Sequence, residues 1–251
     1  MMKYVRNIFI LIVCVGLVCR QSGSVVNAKS TSNCLPDSVC VVKNEKQLMS
    51  KMIGGMKKHK TYFAFYYPGI EKDFKCYQKG NNNYRDFWVK VANKNGYYAG
   101  ITSGSCIMLT GESPQYIVIQ MGYLTTKKQE RYIDQQIKKI VKQIGAGKPE
   151  SRVRKAHDYI RKHMVYSNQY YSPYDALKRG KGMCMSYALL FQRMMQEMKI
   201  PCRYIRGTNH AWNRVKVNGI WYNIDVTWDD NASNPYRYFL KRDWEFHGHD
   251  R

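Results

Sequence analysis

Asn218 and Gly219 stand between two short apolar runs, and this pair determines the local fold more tightly than any other pattern in the 251-residue chain. Asn-Gly is the favoured pair of a two-residue type I′ turn, because both positions need a positive φ. Such a turn sets the register of the strands that it joins, which places Val217 opposite Ile220. The sequence therefore predicts an antiparallel hairpin whose pairing can be counted outward from the turn.

Counted outward, the hairpin brings a histidine and an aspartate to one face. Trp212 falls opposite Asp225, and His210 falls opposite Thr227. His210 and Asp225 are then diagonal neighbours, about 7–8 Å apart at Cα and closer at their side chains. A carboxylate at that distance can orient an imidazole ring. Taken singly, each residue is also typical of a surface strand, as a hydrogen-bonded histidine or a solvated carboxylate.

A cysteine supplies the third group. Cys184 follows Gly182 and opens a predicted helix that runs to about Met198. Unpaired N–H groups and the helix dipole at that position stabilise a thiolate, which is the nucleophilic form of cysteine. The alternative for Cys184 is a buried structural cysteine or half of a disulfide. Together the residues predict a nucleophile in Cys184, a general base and acid in His210, and an orienting carboxylate in Asp225.

Three blocks around these residues resemble the transglutaminase-like core domain. The blocks are residues 182–188 (GMCMSYA), 209–213 (NHAWN) and 221–230 (WYNIDVTWDD), and they occur in the order of the family. The resemblance covers about residues 126–246. Within that superfamily the chain looks most like the bacterial exported group.

The resemblance implies an α+β fold with a papain-like, transglutaminase-like core. In such a core the nucleophile helix packs on an antiparallel β-sheet, here preceded by a small mixed N-terminal region. The family carries the nucleophile to Cys184, the base to His210 and the orienting acid to Asp225. Its chemistry is acyl transfer through a cysteine thioester on a protein or peptide substrate, and it requires no metal or other cofactor. Met185 stands where the family often has an acidic residue, which leaves the substrate preference open.

Three functions are compatible with this resemblance. A hydrolytic cysteine protease or amidase is the leading expectation, because many relatives at this level resemble proteases and the sequence has no calcium-site pattern. A protein-crosslinking transamidase would use the same thioester. A non-catalytic, basic module that binds a cell surface or wall could keep the same fold.

His247 and His249 form the only close histidine pair in the sequence. Two histidines without a third ligand do not complete a zinc site. We therefore expect this pair to lie in a tail and predict no metal site.

Residues 1–28 have the layout of a secretory signal peptide. Lys3 and Arg6 precede an apolar run at residues 8–19, and small residues lie before a possible cut at Lys29. The run has 12 residues, whereas a membrane-spanning helix needs about 20. We expect a secreted or cell-surface protein, with a retained N-terminal anchor as the alternative.

The charge of the chain points to an anionic partner. The sequence has 41 Lys and Arg against 18 Asp and Glu, which gives a formal net charge of +23. Removal of residues 1–28 takes away three basic residues and no acidic ones, and leaves +20. For an exported protein this charge predicts attraction to an anionic wall or surface polymer, and we expect no nucleic acid as partner. The oligomeric state and the pairing of the six cysteines after residue 28 stay open.

The rest of the chain divides near residue 125. A hydrophobic share of 44% and only 7 prolines exclude a collagen or a low-complexity disordered chain. Residues 126–251 form the predicted catalytic domain, and residues 29–125 form an N-terminal α/β region of unknown role. The predicted elements before the cysteine are helices at 44–58, 126–144 and 149–163, and strands at 62–67, near 86–92, at 105–110 and at 115–122.

Overall fold

A computed structural model of the chain describes residues 39–68, 85–109 and 116–249. The contacts divide the chain into two units, Met1–Trp88 with Ser103–Gly122 and Val89–Thr102 with Tyr123–Arg251. The predicted signal peptide at residues 1–28 lies outside the described residues. Within the described ranges, no helix has both the length and the apolar content needed to span a membrane.

The first unit is built on a four-stranded sheet. Its strands are β1 (Cys40–Val41), β2 (Tyr62–Tyr66), β3 (Thr102–Leu109) and β4 (Tyr116–Tyr123), in the order β1-β2-β4-β3. β1 is parallel to β2, and β4 is antiparallel to β2. Helix α1 (Glu45–Lys57) begins after Asn44, whose side chain accepts a hydrogen bond from the Gln47 N–H. The helix predicted at 44–58 and the strands predicted at 62–67, 105–110 and 115–122 are confirmed.

Helix α2 (Arg85–Ile101) lies where we predicted a strand near residues 86–92, and that prediction is wrong. The prediction rested on β-branched and aromatic residues, whose preference for strands depends strongly on context. The helix breaks at Asn95, where φ is −156°. Tyr97 and Ile101, four residues apart, are both fully buried. Before the break, Val91 is fully buried as well, so burial on the helix outweighs the local preference for a strand.

The helices of the second unit follow the predicted periodicity. α3 (Lys127–Ile144) begins at a capping box formed by Thr126 and Gln129, as predicted. α4 (Pro149–His163), α5 (Pro173–Arg179) and α6 (Cys184–Glu197) follow, with a short parallel pair of strands, β5 (Val165–Tyr166) and β6 (Lys181–Gly182), before α6. The inward faces share one core that includes Ile133, Ile137, Val153, Ile160, Tyr187, Phe191 and Met194. Burial of each large apolar side chain in this core stabilises the fold by about 1.5–3 kcal/mol.

The predicted hairpin forms the centre of an antiparallel sheet. β7 (Cys202–Arg206), β8 (Ala211–Val217) and β9 (Ile220–Ile224) lie in the order β7-β8-β9. Val217 pairs with Ile220, and the turn residues Asn218 and Gly219 have φ values of 50° and 83°. Because α6 packs on β8, the unit has the predicted α+β, papain-like arrangement of a cysteine-bearing helix on an antiparallel sheet.

After Ile224 the chain leaves the predicted β structure. Helix α7 (Val226–Asp230) begins at once, so the predicted pairing of His210 with Thr227 across a ladder is wrong. The cause is Asp225, because its carboxylate accepts the N–H groups of the first turn and starts a helix there. Further on, the backbone of Lys241 exchanges two hydrogen bonds with Asn223. This isolated bridge begins residues 241–249, hereafter the C-terminal strap.

Candidate active site

Cys184 is the first residue of α6, and its residue surface is 6% exposed. Met183 caps the helix without a side-chain hydrogen bond, so no side chain competes for the N–H groups of the first turn. These groups and the helix dipole favour negative charge at this position. Gly182 approaches the helix closely, since a Cβ there would lie 2.4 Å from the Cβ of Ser186. The sequence around Cys184 therefore brings the backbone tightly against the start of its helix.

Asn213 ties the helix of Cys184 to the sheet. Its side-chain N–H donates to the carbonyl oxygen of Ala188 at 3.0 Å and to that of Arg203 at 3.4 Å. Asn213 is 1% exposed, and Ala188 lies one turn after Cys184. The amide thus links α6 to the strand that follows His210.

His210 ends the short connection between β7 and β8. Its carbonyl accepts the Gly207 N–H at 2.9 Å, which closes the turn. The imidazole stacks on Trp228 with ring centroids 4.9 Å apart, and its side chain is 19% exposed. Its Nε2 lies 2.6 Å from Oδ2 of Asp225. Asp225 follows β9 at the same end of the sheet, so the two side chains are close as we predicted, although both residues lie just beyond the paired strands.

The environment of His210 favours its protonated form. Burial lowers the pKa of His210, but hydrogen bonds with Asp225 and Cys184 and the negative charges of both outweigh it and raise the pKa to about 9. Burial raises the pKa of Asp225, but the hydrogen bonds from His210 and His249 outweigh this effect and hold the pKa below its ordinary value. Because Cys184 is among the groups that raise the pKa of His210, its thiol lies within interaction range of the imidazole that Asp225 holds. A thiol, an imidazole and a carboxylate in this order can pass a proton between the sulfur and a leaving group.

The two carboxylate oxygens of Asp225 contact different partners. Its Oδ1 accepts the N–H groups of Thr227 and Trp228 at 3.0 and 3.1 Å, which caps α7. Its Oδ2 faces His210 and also His249, whose Nε2 lies 2.8 Å away. The carboxylate is 1% exposed. A single side chain therefore connects the start of α7 to the imidazole of His210.

His249 is a site residue that the sequence did not reveal. We expected it in a tail, and that expectation is wrong, because its side chain is 1% exposed and bonds to Asp225. The ligand atoms of His210, Asp225 and His249 all lie within 4.8 Å of one another, so this cluster could hold a divalent metal ion. The two N–H to carboxylate bonds account for the close approach without an ion. The available signal was Phe246, an apolar residue three positions earlier that is also buried.

A second buried histidine anchors α7. His157 is fully buried, and its Nδ1 and Nε2 lie 2.9 and 3.0 Å from the carboxylates of Asp158 and Asp229. Arg161 adds a bond of 3.1 Å from its Nε to the carbonyl oxygen of Asp229. These contacts fasten the short helix that Asp225 caps to α4.

The other described cysteines differ from Cys184. Cys40 and Cys202 are free thiols, as is Cys184. Burial raises the pKa of Cys202 far above its ordinary value, against the weaker opposite effects of Asn213 and the Arg203 backbone. Cys202 therefore stays protonated at neutral pH and offers an internal reference for the reactivity of Cys184.

Residues 138–226 match the profile of the transglutaminase-like superfamily. The matched stretch contains Cys184, His210 and Asp225. It ends at the first residue of α7, so it leaves out the C-terminal strap.

Individual relatives match smaller shares of one chain or the other. Human kyphoscoliosis peptidase is 30% identical over 101 residues, which cover 31% of this chain and 15% of that protein. This chain thus spans well under two thirds of that relative. A crystal structure of a TGase aligns with a TM-score of 0.38 at 15% identity, over 75% of this chain and 59% of that one. A candidate cysteine protease from Cytophaga hutchinsonii aligns with a TM-score of 0.33 at 16% identity, over 51% of this chain and 63% of that one.

Proposed function

Because residues 138–226 match the model of the transglutaminase-like superfamily, we propose that this protein is an exported cysteine enzyme that transfers acyl groups through a thioester on Cys184. The observation that carries the proposal is the 2.6 Å approach of His210 to Asp225, on a ring whose pKa the neighbouring Cys184 also raises. Cys184 is the nucleophile, His210 the base and acid, and Asp225 the residue that orients His210. The substrate is a protein or a peptide.

The first half of the proposed reaction forms the thioester. His210 accepts the thiol proton on Nδ1, because its Nε2 is directed at Asp225. The sulfur of Cys184 attacks the carbonyl carbon of a peptide bond or a carboxamide. The carbon–nitrogen bond then breaks, and the amine or ammonia leaves with the proton from His210. Asp225 stays ionised throughout and stabilises the imidazolium.

The second half releases the acyl group. In hydrolysis, a water molecule gives its proton to His210 and attacks the thioester carbon. The carbon–sulfur bond breaks, the sulfur recovers the proton, and a carboxylic acid leaves. In crosslinking, a primary amine takes the place of the water.

A backbone donor can hold the oxyanion that forms in each half. The N–H of Cys184 lies in the first turn of α6, where Met183 offers no side-chain cap. We propose this N–H as the oxyanion donor. Loss of one such donor typically costs about 100- to 1,000-fold in rate.

Hydrolysis is the form of the reaction that we propose. The human relative is named a peptidase, and the thioester chemistry of this site needs only water as acceptor. A fluorescent primary amine tests the alternative directly. Incorporation of the amine into an acceptor protein, at a rate above that of hydrolysis, would make the protein a crosslinking transamidase.

Export is part of the proposal. The layout of residues 1–28 supports a cleaved signal peptide, and the remaining formal charge of +20 suits work at an anionic wall or surface. The same charge favours a second candidate function, a non-catalytic module that binds such a polymer. The two differ in whether Cys184 is needed.

Mass spectrometry of the intact protein with a library of peptide amides tests the proposed chemistry. We expect an acyl adduct that maps to Cys184, is removed by hydroxylamine, and is absent from Cys184→Ala. The matched control, Cys202→Ala, should keep the adduct. A small thiol-alkylating reagent should also label Cys184 faster than Cys202. Equal labelling of the two cysteines, together with unchanged activity in Cys184→Ala, would rule out a cysteine enzyme and leave the binding module.

A further inference from the structure

The C-terminal strap delivers His249 to the back of the proposed site. Asp243 in the strap accepts hydrogen bonds from the side chains of Asn223 at 2.7 Å and Arg214 at 3.3 Å, which lie on the hairpin. Three residues later Phe246 is buried, with 7% of its surface exposed. The strap is thus held to the sheet on its way to Asp225.

Aromatic rings hold the imidazole of His249 on several sides. The Phe246 ring stacks on it with centroids 3.7 Å apart, and the Trp228 ring lies at 4.0 Å. Trp212 meets it edge-on at 4.9 Å. Because the side chain is only 1% exposed, the ring has little freedom to turn away from Asp225.

The contacts of Asp225 explain what this ring does. A carboxylate has about four acceptor positions, and Asp225 uses four. Oδ1 takes two backbone N–H groups, and Oδ2 takes the Nε2–H groups of His210 and His249. Since a carboxylate only accepts, each Nε2 must carry a proton. A neutral His210 then has its free lone pair on Nδ1, the nitrogen needed as the base for Cys184.

We propose that His249 is a positioning residue that holds Oδ2 of Asp225 on the Nε2–H of His210 and so keeps His210 in the tautomer that the proposed reaction needs. The catalytic role of His249 rests on the proposed function, whereas its contacts with Asp225 do not. Without the second donor, Oδ2 loses one of its two hydrogen bonds. The carboxylate can then rotate while Oδ1 stays bonded to the backbone N–H groups of α7. His210 would then also populate the Nδ1–H form, which cannot accept the proton of the thiol.

Two substitutions separate the donor from the ring. His249→Phe keeps an aromatic ring between Phe246 and Trp228 but removes the donor. His249→Gln restores an N–H near the position of Nε2 without the ring. His247→Phe serves as the matched control, because His247 lies in the same strap and is exposed. The full chain is used in every case.

The first readout is nitrogen NMR of the His210 ring at pH 10, where the imidazole is neutral. We expect the Nε2–H tautomer in the wild type, in His249→Gln and in His247→Phe, and a mixture with Nδ1–H in His249→Phe. This measurement needs no substrate and no reactive thiol. It therefore gives an answer even if the proposed enzyme function fails.

The second readout is the rate at which iodoacetamide alkylates Cys184 at pH 7. At this pH His210 is protonated, so we expect His249→Phe to react about tenfold more slowly because a carboxylate that turns away stabilises the imidazolium beside the thiol less, by about one hydrogen bond to a charged group. His249→Gln should recover most of that loss. An unchanged His210 tautomer in a folded His249→Phe protein would overturn the proposal. Equal slowing in His249→Phe and His249→Gln would do the same, because the donor would then have no role.

Discussion

At the scale of single residues, the protonation of His210 is controlled by its neighbours Asp225 and Cys184. The hydrogen bonds and charges of these two neighbours raise the pKa of an imidazole that burial alone would lower. A histidine with its pKa near 9 is protonated at neutral pH. It can therefore act as the acid toward a leaving amine over most of the physiological range.

The titration of His210 is the first prediction. We expect the ring to lose its proton with a midpoint of about 9, and the rate of acyl transfer to fall as the pH rises through that value. In Asp225→Asn the midpoint should move to lower pH, because the substitution removes a negative charge and a hydrogen bond that both favour the imidazolium. NMR of the His210 ring from pH 5 to 11 measures both midpoints. An equal or higher midpoint in Asp225→Asn would contradict the assignment of Asp225.

The same titration affects stability in a defined window. The pKa of His210 in the folded protein lies above its unfolded value of 6.5, so its contribution is complete below about pH 6.5 and is lost as the pH rises through about 9. Asp225 behaves in the opposite way. Its pKa is lowered by folding, so its contribution is present above about pH 4 and is lost on acidification.

Of the site residues, the sequence predicted those that share a local pattern. Cys184 stands at a helix start, and His210 and Asp225 are related by the counted register of one hairpin. His249 has no such relation, because its place depends on the path of the strap and on the packing of Phe246. No spacing along the chain encodes that path.

At the scale of elements, α6 and β8 must hold a fixed relation, since one carries Cys184 and the other follows His210. Asn213 makes the side-chain link between them and is almost fully buried. The hydrogen bonds of such a group contribute more through the cost of leaving its partners unpaired than through their own strength.

Asn213→Ala tests this link. We expect the free energy of unfolding to fall by about 1–3 kcal/mol, because the carbonyl groups of Ala188 and Arg203 lose a buried donor. The alkylation rate of Cys184 should fall as well. The exposed Lys216 on the same strand gives the control Lys216→Ala, expected within about 0.5 kcal/mol of the wild type. Urea denaturation followed by circular dichroism measures both. A stable Asn213→Ala protein with an unchanged alkylation rate would show that the link is dispensable.

Helix α2 meets α6 at a glycine. A Cβ on Gly100 would lie 2.4 Å from Cδ2 of Leu189, whereas a Cβ on Gly54 in α1 would meet nothing within 4 Å. Both glycines lie within helices, and they differ in the space around them.

Alanine at each position should therefore change stability in opposite directions. We expect Gly100→Ala to lower the free energy of unfolding by about 1–3 kcal/mol through overpacking. Gly54→Ala should raise it by about 0.4–1 kcal/mol, since it restricts only the unfolded chain. Thermal unfolding of the two variants measures the difference. A Gly100→Ala protein as stable as Gly54→Ala would mean that Leu189 moves aside without cost.

The elements differ in how well the sequence predicted them. The hairpin and the capped helix α3 follow from turn and cap residues, whose effect is local. The helix at Arg85–Ile101 did not, because its packing partners are distant in sequence, and the short α7 was missed although its cap is local. Asp225 could have suggested α7, since aspartate followed by free N–H groups is a common helix start.

At the scale of the whole molecule, the charge is the feature that a partner would meet first. Lys138, Lys139 and Lys142 are exposed on α3, and the chain as a whole keeps a large positive excess. Such a field attracts polyanions over a distance that salt shortens, from about 10 Å at 0.1 M to about 3 Å at 1 M.

Binding to an anionic polymer should therefore fall steeply with salt. We expect retention on a polyphosphate-type matrix at 50 mM NaCl and release well below 1 M. Glutamate at positions 138, 139 and 142 should lower the salt needed for release, while Cys184→Ala should leave it unchanged. Elution of the three proteins on one salt gradient measures this. Retention that does not respond to salt or to the charge reversals would show that charge is not what binds.

Because Asp225 both caps α7 and orients His210, we expect the site to lose its geometry on heating before the whole fold unfolds. The helix that it caps has only five residues, and so short a segment opens at a lower free-energy cost than the core around it. When α7 frays, the carboxylate loses the two N–H groups that aim it, and His210 loses its partner while the rest of the fold stands. The hydrogen bond of Tyr187 to Asp230 at 2.7 Å and the His157 contacts to Asp229 oppose this opening. The highest temperature at which the protein is active should thus lie below its melting temperature. The strength of these two contacts determines the difference.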